Sequence, residues 1–304
     1  MSEGGDPPAS AAPHAAVPRV AFHVYPTAFQ APGGGEILLL QTKDALERRG
    51  VPVTLFDPWR HRLADFHILH TFGSVKDCLP VMRAALGAGV RNVLSTICWH
   101  SWRAAWGGHD GARAKAGALA RHAAKWAFPR TPSARRAMMR AADLLLPNSE
   151  VEAEQLVRLF AVPRRKIRVV PNGADGRFAG ADPEPFVRTH ALRDFVLYAG
   201  RIEPRKNVLG MVRAMRAVRV PFVVLGDPVP AYGDYAARVR REAGPWTTFL
   251  PRLAHEDPML ASAYAACDTF LLASWLETPG LAALEAALAG AKIVITDEGA
   301  TREY

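Results

Sequence analysis

Residues 271–285 read LLASWLETPGLAALE and join a short apolar run to an Ala- and Leu-rich helical pattern. The apolar run predicts a buried β-strand, and Thr278 is a predicted N-cap for the helix that follows. Pro279 then falls at the first helical position, where its missing N–H costs nothing, and Gly280 lets another group approach the backbone. A helix that begins directly after a buried strand offers unpaired N–H groups and a positive dipole end. We therefore expect this junction to seat an anion such as a phosphate.

The same alternation of apolar runs and helical patterns extends over most of the chain. Continuous apolar strands that alternate with helices are typical of parallel sheets covered on both faces. Strands are predicted at 19–25, 52–56, 66–70, 91–98, 144–146, 167–170, 195–199, 222–225, 248–250, 269–273 and 293–296. The predicted fold class is therefore α/β, with two Rossmann-like doubly wound domains that face a central cleft. We expect a disordered leader over residues 1–17, a first domain over 18–178 and a second domain over 179–304.

The composition argues against a disordered, a disulfide-rich or a membrane-spanning protein. The 304 residues are 49% hydrophobic and 22% charged, which argues against extended disorder. The net charge of +9 is compatible with a phosphorylated ligand, a membrane surface or nucleic acid. Three cysteines without C-x-x-C spacing make a disulfide framework or a structural zinc site unexpected. Because no apolar run approaches the roughly 18 residues of a spanning helix, and the N-terminus lacks a secretory pattern, we expect a cytoplasmic protein, with peripheral binding to the inner face of the cytoplasmic membrane as an option.

Two acidic and two basic residues of the second half are the strongest candidates for binding chemistry. Glu277 ends the loop after a predicted strand, and Glu285 lies eight residues further on in an otherwise apolar helical pattern. A carboxylate buried there needs donors, which the hydroxyls of a ribose could supply. Arg201 and Lys206 follow the strand predicted at 195–199, and two cations five residues apart can converge on one anion. The alternative for both pairs is a solvated surface, with the glutamates in surface salt bridges and the cations in a basic turn.

The segment ETPGLAALEAALAGAKIVITDEG, which starts at Glu277, resembles the E-x7-E motif of the family-4-like GT-B glycosyltransferases. The resemblance extends to PNS at 147–149, PNG at 171–173, GRIEPRKN at 200–207 and the GGGE after the first strand. It implies that Glu277 faces the hexose of the donor and that Glu285 holds the ribose. It also implies that Arg201 and Lys206 bind the diphosphate, and that catalysis depends on these two cations together with Glu277.

Further site residues follow from the same resemblance. The glycines at 33–35 are expected under the cleft near the donor phosphate, where only bare backbone leaves room. The predicted donor-binding residues besides Glu285 are Gly280, Leu281, Thr278, Gly34, Gly35 and Asn172. His100, a histidine that follows the fourth predicted strand, and Arg205, between the two phosphate-binding cations, are candidates on the acceptor side.

The resemblance implies a retaining transfer of a hexose from a nucleotide-diphosphate sugar. The implied mechanism is a front-side displacement in which the donor phosphate helps to take the acceptor proton. No D-x-D pair occurs in the sequence, so we expect no metal and no cofactor besides the nucleotide sugar as co-substrate. The acceptor is expected to be a glycan or a lipid-linked phosphate, in cell-surface polysaccharide synthesis. A non-catalytic nucleotide-sugar- or glycan-binding protein and a GT-B sugar-nucleotide epimerase remain alternatives.

Residues 101–142 carry nine basic residues against a single acidic one, with tryptophans and a phenylalanine interleaved. A surface that lies on anionic lipid, or that holds a lipid-phosphate acceptor, accounts for this pattern. A solvated helical face is the alternative. We do not expect nucleic acid as a partner, because no recognised nucleic-acid motif accompanies the charge.

The chain stops at Tyr304, shortly after the last predicted strand. Members of the family that it resembles continue with further elements, which usually end in a helix that crosses back onto the first domain. We therefore expect the second domain to be truncated at its C-terminal end.

Overall fold

The computed structural model describes residues 17–30, 32–278 and 280–304. The predicted leader therefore falls, apart from its last residue, outside the described residues. The described residues form two parallel β-sheets of five strands each, one in each half of the chain. The predicted α/β fold with two doubly wound domains is thus confirmed.

The first sheet has the strand order β2-β1-β3-β4-β5, and every neighbouring pair is parallel. Its strands are β1 (Val20–His23), β2 (Val53–Leu55), β3 (Ile68–Phe72), β4 (Arg91–Ser95) and β5 (Leu144–Leu146). The helices of this half are α1 (Gly34–Glu47), α2 (Leu79–Gly87), α3 (Trp102–Gly107), α4 (Ala112–Ala127), α5 (Ala134–Ala141) and α6 (Glu150–Phe160). Leu69 and Leu94 of the sheet are fully buried together with Met82, Met138 and Leu156 of the helices. The first core therefore lies between the sheet and its covering helices.

The second sheet has the order β10-β9-β6-β7-β8 and is parallel throughout. Its strands are β6 (Phe195–Ala199), β7 (Phe222–Leu225), β8 (Thr247–Leu250), β9 (Cys267–Leu272) and β10 (Lys292–Ile295). The helices are α7 (Glu184–His190), α8 (Val208–Val218), α9 (Gly233–Glu242), α10 (Pro258–Ala266) and α11 (Leu281–Leu288). Phe195, Phe222 and Phe270 have no exposed surface and form the centre of the second core.

In both sheets the order of the strands reverses beside the first strand of the domain. The reversal lies between β1 and β3 in the first sheet and between β6 and β9 in the second. All loops that follow parallel strands leave from the same edge of the sheet, and a crevice opens where the order reverses. The loops after β1, β6 and β9 carry the glycine run, Arg201 and Glu277, so the topology brings these residues to the two crevices.

Two features of the fold bear on the predictions: the strand expected at 167–170 and the position of Phe178 near the expected domain boundary. Residues 167–170 do not form the predicted strand, because Ile167 makes only an isolated bridge with Leu145 of β5, which is itself only three residues long. Phe178, the last residue assigned to the first domain, packs fully buried in the core of the second.

The two halves of the chain contact each other at several points. The indole ring of Trp275 lies where a side chain on Gly107 of α3 would have to be. The Asn148 side-chain amide donates a hydrogen bond to the carbonyl of Thr278 at 3.0 Å. The carboxylate of Glu303 accepts from the first two N–H groups of α6, at 2.7 and 2.8 Å. The two domains are therefore joined by direct side-chain contacts as well as by the chain itself.

Candidate functional site

A cavity of about 740 Å³ lies between the two domains, where the loops after β1, β6 and β9 meet. The predicted site residues that line it are Gly34, Gly35, Asn172, Arg201, Arg205, Lys206, Glu277, Thr278, Gly280, Leu281 and Glu285. His100 lies outside this lining, although its neighbour Trp99 belongs to it. The fold therefore brings nearly all candidates of both domains into one cleft.

Glu277 and Lys206 form a buried ion pair in this cleft. Lys206 Nζ lies 2.5 Å from Glu277 Oε1, and the two side chains are only 15% and 6% exposed. Burial alone would raise the pKa of Glu277, but Lys206 and Arg205 outweigh it and lower that pKa. Burial lowers the pKa of Lys206, and Glu277 opposes this shift. The lysine thus carries a poorly solvated positive charge that would gain from contact with a further anion.

Arg201 and Arg205 flank this pair and share a third carboxylate. Arg205 lies 3.1 Å from Glu203 and 3.9 Å from Glu277, whereas Arg201 lies 3.9 Å from Glu203. The Arg201 side chain is 44% exposed toward the cleft. Arg205 is therefore held between two carboxylates on the side of the second domain, and Arg201 has more of its guanidinium available to a ligand.

Glu285 is buried in the same cleft, with only 4% of its surface exposed. Its Oε1 lies 2.9 Å from His255 Nε2, and its Oε2 accepts a hydrogen bond from the Tyr264 hydroxyl at 3.3 Å. The solvated alternative for Glu277 and Glu285 is therefore wrong. His255 and Tyr264 also line the cleft, and neither belongs to a sequence motif. Their positions, after β8 and on α10, are the only feature of the sequence that could have indicated a place in the site.

The glycine run after β1 begins at the N-cap of α1. The N–H of Gly33 and the hydroxyl of Tyr25 both donate to the carboxylate of Glu36, at 2.8 and 2.9 Å. Burial, together with Glu36, raises the pKa of Tyr25 to about 12, so its hydroxyl remains a donor. A Cβ on Gly34 would already touch Leu281 of the opposite domain at 3.6 Å. A Cβ alone would thus make an ordinary van der Waals contact, and the expected need for bare backbone in the glycine run stays a prediction.

Helix α11 begins at Leu281, later than predicted. Gly280 is its N-cap. The φ of Gly280 is 90°, a value that favours glycine and is not helical, so the helix cannot extend further toward the N-terminus. The prediction that Thr278 caps the helix is therefore wrong, and Pro279 lies outside the described residues. The first turn of α11 still faces the cleft, and Asn172 lines the cleft from the first domain.

The acceptor-side candidate His100 contacts an arginine that was not singled out from the sequence. Arg135 of α5 lines the cleft, and its Nη1 lies 3.4 Å from His100 Nε2. Its Nε donates to the carbonyl of Ser74 at 3.2 Å. A cation of the first domain therefore faces the same cavity as Arg201 and Lys206.

The basic segment 101–142 contains α3, α4 and α5. Trp102, Trp106 and Phe128 of this segment are 50%, 56% and 66% exposed. Over the described ranges, every helix is too short or too polar to cross a membrane. The same ranges hold no group of three or more His, Cys, Asp or Glu side chains placed to bind a metal ion. Independence from metal stays a prediction.

Two family models match the chain, Glycosyltransferase Family 4 over residues 32–177 and Glycosyl transferases group 1 over residues 193–304. The D-inositol 3-phosphate glycosyltransferase of Actinosynnema mirum is 30% identical over 88% of this chain and 76% of its own length. The solved structure of Anabaena HepE in complex with UDP-glucose has a TM-score of 0.67 and 18% identity, over 94% of this chain and 82% of that chain. Sucrose-phosphate synthase from Thermosynechococcus elongatus has a TM-score of 0.68 and 19% identity, over 93% and 82% of the two chains.

At these low identities the structural likenesses establish the fold alone, which is GT-B. The family follows from the two family models together with the relative from Actinosynnema mirum. The chain therefore belongs to the group 1, family-4-like glycosyltransferases, and it is a glycosyltransferase with the GT-B fold.

Proposed function

We propose that this glycosyltransferase moves a hexose from a nucleotide-diphosphate sugar to a glycan or lipid-linked acceptor, with retention of the anomeric configuration. The observation that carries the proposal is the buried pair of Lys206 and Glu277 beside Arg201, at the reversal point of the second sheet. Cations and a carboxylate in one crevice complement the two ends of such a donor, because phosphates need donors and sugar hydroxyls need acceptors. The presence of UDP-glucose in the HepE structure supports a nucleotide sugar as the ligand.

The donor is proposed to lie along the C-terminal edge of the second sheet. Glu285 would accept hydrogen bonds from the ribose hydroxyls, since two of its oxygen lone pairs are engaged by protein donors and the others remain available. Arg201 and Lys206 would contact the diphosphate, together with the N–H groups at the start of α11. The glycines at 34 and 35 would leave room for the phosphates, and Glu277 would accept from the hexose.

The proposed reaction breaks the bond between the anomeric carbon and the diphosphate oxygen and forms a bond to the acceptor oxygen on the same face. The proton of the acceptor hydroxyl passes to the departing phosphate, so the products are the glycoside and the nucleoside diphosphate. The task of the protein is to position the two substrates and to stabilise the charge on the departing phosphate. Lys206 suits this task because its buried ammonium keeps two N–H groups beyond the one given to Glu277.

The proposal includes neither a metal nor another cofactor, because Arg201, Lys206 and the start of α11 would supply the positive charge that the leaving group needs. It also places the basic segment 101–142 against anionic lipid at the inner face of the cytoplasmic membrane. The exposed Trp102, Trp106 and Phe128 support this placement, since aromatic side chains among cations suit a lipid interface. A role in cell-surface polysaccharide synthesis fits an acceptor presented at that surface.

A screen for the donor tests the proposal first. We expect one of UDP-, GDP- or ADP-hexose to raise the melting temperature, since a ligand at about 100 times its dissociation constant adds about 2.7 kcal/mol. Lys206→Met should abolish the shift, whereas Lys292→Met, at a lysine whose side chain is 75% exposed in the same domain, should preserve it. No shift with any sugar nucleotide would refute the proposed donor class.

The sugar nucleotide that binds is then prepared with a radiolabelled hexose and incubated with the protein and acceptor-bearing membranes. Transfer of the label to lipid or glycan, with the anomeric configuration of the donor, is expected. Conversion of the donor without any acceptor would indicate an epimerase, and binding without turnover would indicate a non-catalytic protein. Either result would contradict the proposed transfer.

A further inference from the structure

The first-domain side of the cleft presents a cation that the proposed donor chemistry does not use. Arg135 lines the cavity at the start of α5. Two of its N–H groups are engaged, by the carbonyl of Ser74 at 3.2 Å and by His100 Nε2 at 3.4 Å. Within the described ranges it makes no salt bridge with a carboxylate, whereas Arg201 and Arg205 both lie within 4.0 Å of one. Three N–H groups of this guanidinium therefore remain available to a ligand.

His100 holds this guanidinium as a neutral acceptor. Burial lowers the pKa of His100 to about 4, and the neighbouring charges of Arg135, His122 and Lys125 act in the same direction. A neutral imidazole has one nitrogen with a free lone pair, and the position of Nε2 beside the guanidinium assigns the lone pair to that atom. The backbone of His100 is fixed by Gln155, which accepts from its N–H at 2.8 Å and donates to its carbonyl at 2.9 Å. The orientation of Arg135 is thus set by groups that are themselves held in place.

The protein around Arg135 offers it little compensating negative charge. Lys125 Nζ is buried 3.8 Å from the centre of the Phe160 ring and has no hydrogen-bond partner among the described residues. The buried carboxylate of this region, Glu152, already accepts from Thr96 and from two backbone N–H groups, at 2.5, 2.6 and 3.0 Å. The positive potential at this wall of the cleft is therefore left for a ligand to neutralise.

We propose that Arg135 binds a phosphate group of the acceptor, and that His100 is the positioning residue that orients it. This inference rests on the proposed glycosyl transfer, because it assigns the first-domain wall of the cleft to the acceptor. A guanidinium with a planar set of free N–H groups suits bidentate contact with phosphate oxygens. The acceptor of this enzyme is then a phosphorylated molecule, either a soluble polyol or sugar phosphate or a lipid with a phosphate headgroup.

The experiment measures phosphate binding by the full chain after the donor site has been saturated with the nucleoside diphosphate found in the donor screen. Saturation keeps the probes away from Arg201 and Lys206. Calorimetric titration compares D-inositol 3-phosphate with inositol. Co-sedimentation compares phosphatidylcholine vesicles that carry phosphatidylinositol with vesicles of equal net charge that carry cholesteryl hemisuccinate, whose charge is a carboxylate, so that attraction of segment 101–142 to anionic lipid is the same in both. We expect stronger binding to D-inositol 3-phosphate than to inositol, or to the phosphatidylinositol vesicles than to their controls, and the pair that differs identifies a soluble or a lipid source.

Arg135→Gln is expected to weaken this binding by about tenfold or more, as the loss of a charge-assisted hydrogen bond would do. Arg140→Gln, at an exposed residue of the same helix outside the cleft lining, is the matched control and should bind as the wild type does. His100→Gln retains an acceptor for Arg135 and should keep most of the affinity, whereas His100→Leu should lose it. Rescue by the glutamine separates a positioning role from a merely structural one.

Three results would overturn the inference: unchanged affinity in Arg135→Gln, an equal loss in Arg140→Gln, or no binding of any phosphorylated probe to the wild type. Equal losses in both His100 variants would overturn the positioning role. Failure of the proposed function is a separate result, since it would appear as the absence of nucleoside diphosphate binding. The probe titrations would then be run on the unliganded chain, where Arg135 remains testable.

Discussion

Lys206 and Glu277 are separated by 71 residues in the chain, yet Lys206 Nζ lies 2.5 Å from Glu277 Oε1. The contact exists because β6 and β9 are parallel neighbours, so that the loops after them leave side by side. Removal of Lys206 would leave Glu277 buried with only the more distant Arg205, at 3.9 Å, as a charged partner. The pair therefore leads to testable predictions about both turnover and the free energy of unfolding.

Lys206→Met and Glu277→Gln should each reduce transfer by about 100- to 1,000-fold, because each removes a group proposed to act on the departing phosphate or on the hexose. Lys206→Met should also lower the free energy of unfolding by about 3 kcal/mol, since Glu277 stays buried without its lysine. Transfer of labelled hexose and urea denaturation measure the two effects. Lys292→Met, which removes only a solvent-exposed ion pair with Asp268, should leave transfer unchanged and should lower the free energy of unfolding much less than Lys206→Met does. Near wild-type transfer in either cleft variant would contradict the assigned roles.

The lowered pKa of Glu277 predicts a specific dependence of stability on pH. The unfolded chain takes up a proton near the ordinary glutamate pKa of 4.5, whereas the folded chain resists it. The contribution of this carboxylate is therefore complete above the ordinary pKa and is lost as the pH falls through the lowered one. Urea denaturation over a pH series should show the difference between wild type and Glu277→Gln shrinking in acid. A difference that stays constant would show that Glu277 is not ionised in the folded state.

His70 predicts a second dependence on pH, in the first domain. It packs against the rings of Phe22 and Phe72, at 5.1 and 4.3 Å, and burial lowers its pKa from 6.5 to about 3. The unfolded chain binds this proton and the folded chain does not, so the free energy of unfolding should fall as the pH drops below about 6.5.

His23 and His100 contribute to the same slope, because burial lowers their pKa values to about 4. His70→Phe should therefore reduce the slope in a thermal melt series without removing it, whereas the exposed His109→Phe should not reduce it. An unchanged slope in His70→Phe would count against a buried neutral imidazole.

Glu285→Gln should weaken the binding of the donor nucleoside diphosphate by about tenfold, because a carboxylate accepts from hydroxyls more strongly than an amide does. The control is a 2′,3′-dideoxy analogue of the same nucleotide, which lacks the ribose hydroxyls. Its dissociation constant, measured by calorimetry, should be the same in wild type and variant. An equal loss for both nucleotides would show that Glu285 does not contact the ribose.

Much of the fold could be predicted because its strands are continuous apolar runs. The order of strands and helices indicates parallel sheets, and parallel sheets place the loops that carry Arg201, Lys206 and Glu277 at one edge. The convergence of these residues therefore followed from pattern and topology together. Their roles toward the donor stay predictions that the proposed experiments test.

The contacts that the sequence did not reveal depend on residues without a motif. The resemblance assigned Glu285 to the ribose but said nothing of His255 and Tyr264, which approach it from the loop after β8 and from α10. Thr278 suits an N-cap by composition, yet the positive φ of Gly280 sets the start of the helix. The pairing of Arg135 with His100 joins the first turn of α5 to the loop after β4 through a side-chain contact, which no periodicity in the sequence encodes.

The carboxylate of Glu303, which belongs to the second half of the chain, satisfies the first backbone donors of α6 in the first half. Loss of the second domain would leave these donors to water and would weaken a helix that packs in the core of the first. Domains joined only by a linker melt in separate transitions, whereas shared helix capping couples them thermodynamically. We therefore expect a single calorimetric endotherm for the whole chain. Glu303→Ala should lower its melting temperature without splitting it, because the contacts of Trp275 with α3 and of Asn148 with Thr278 remain.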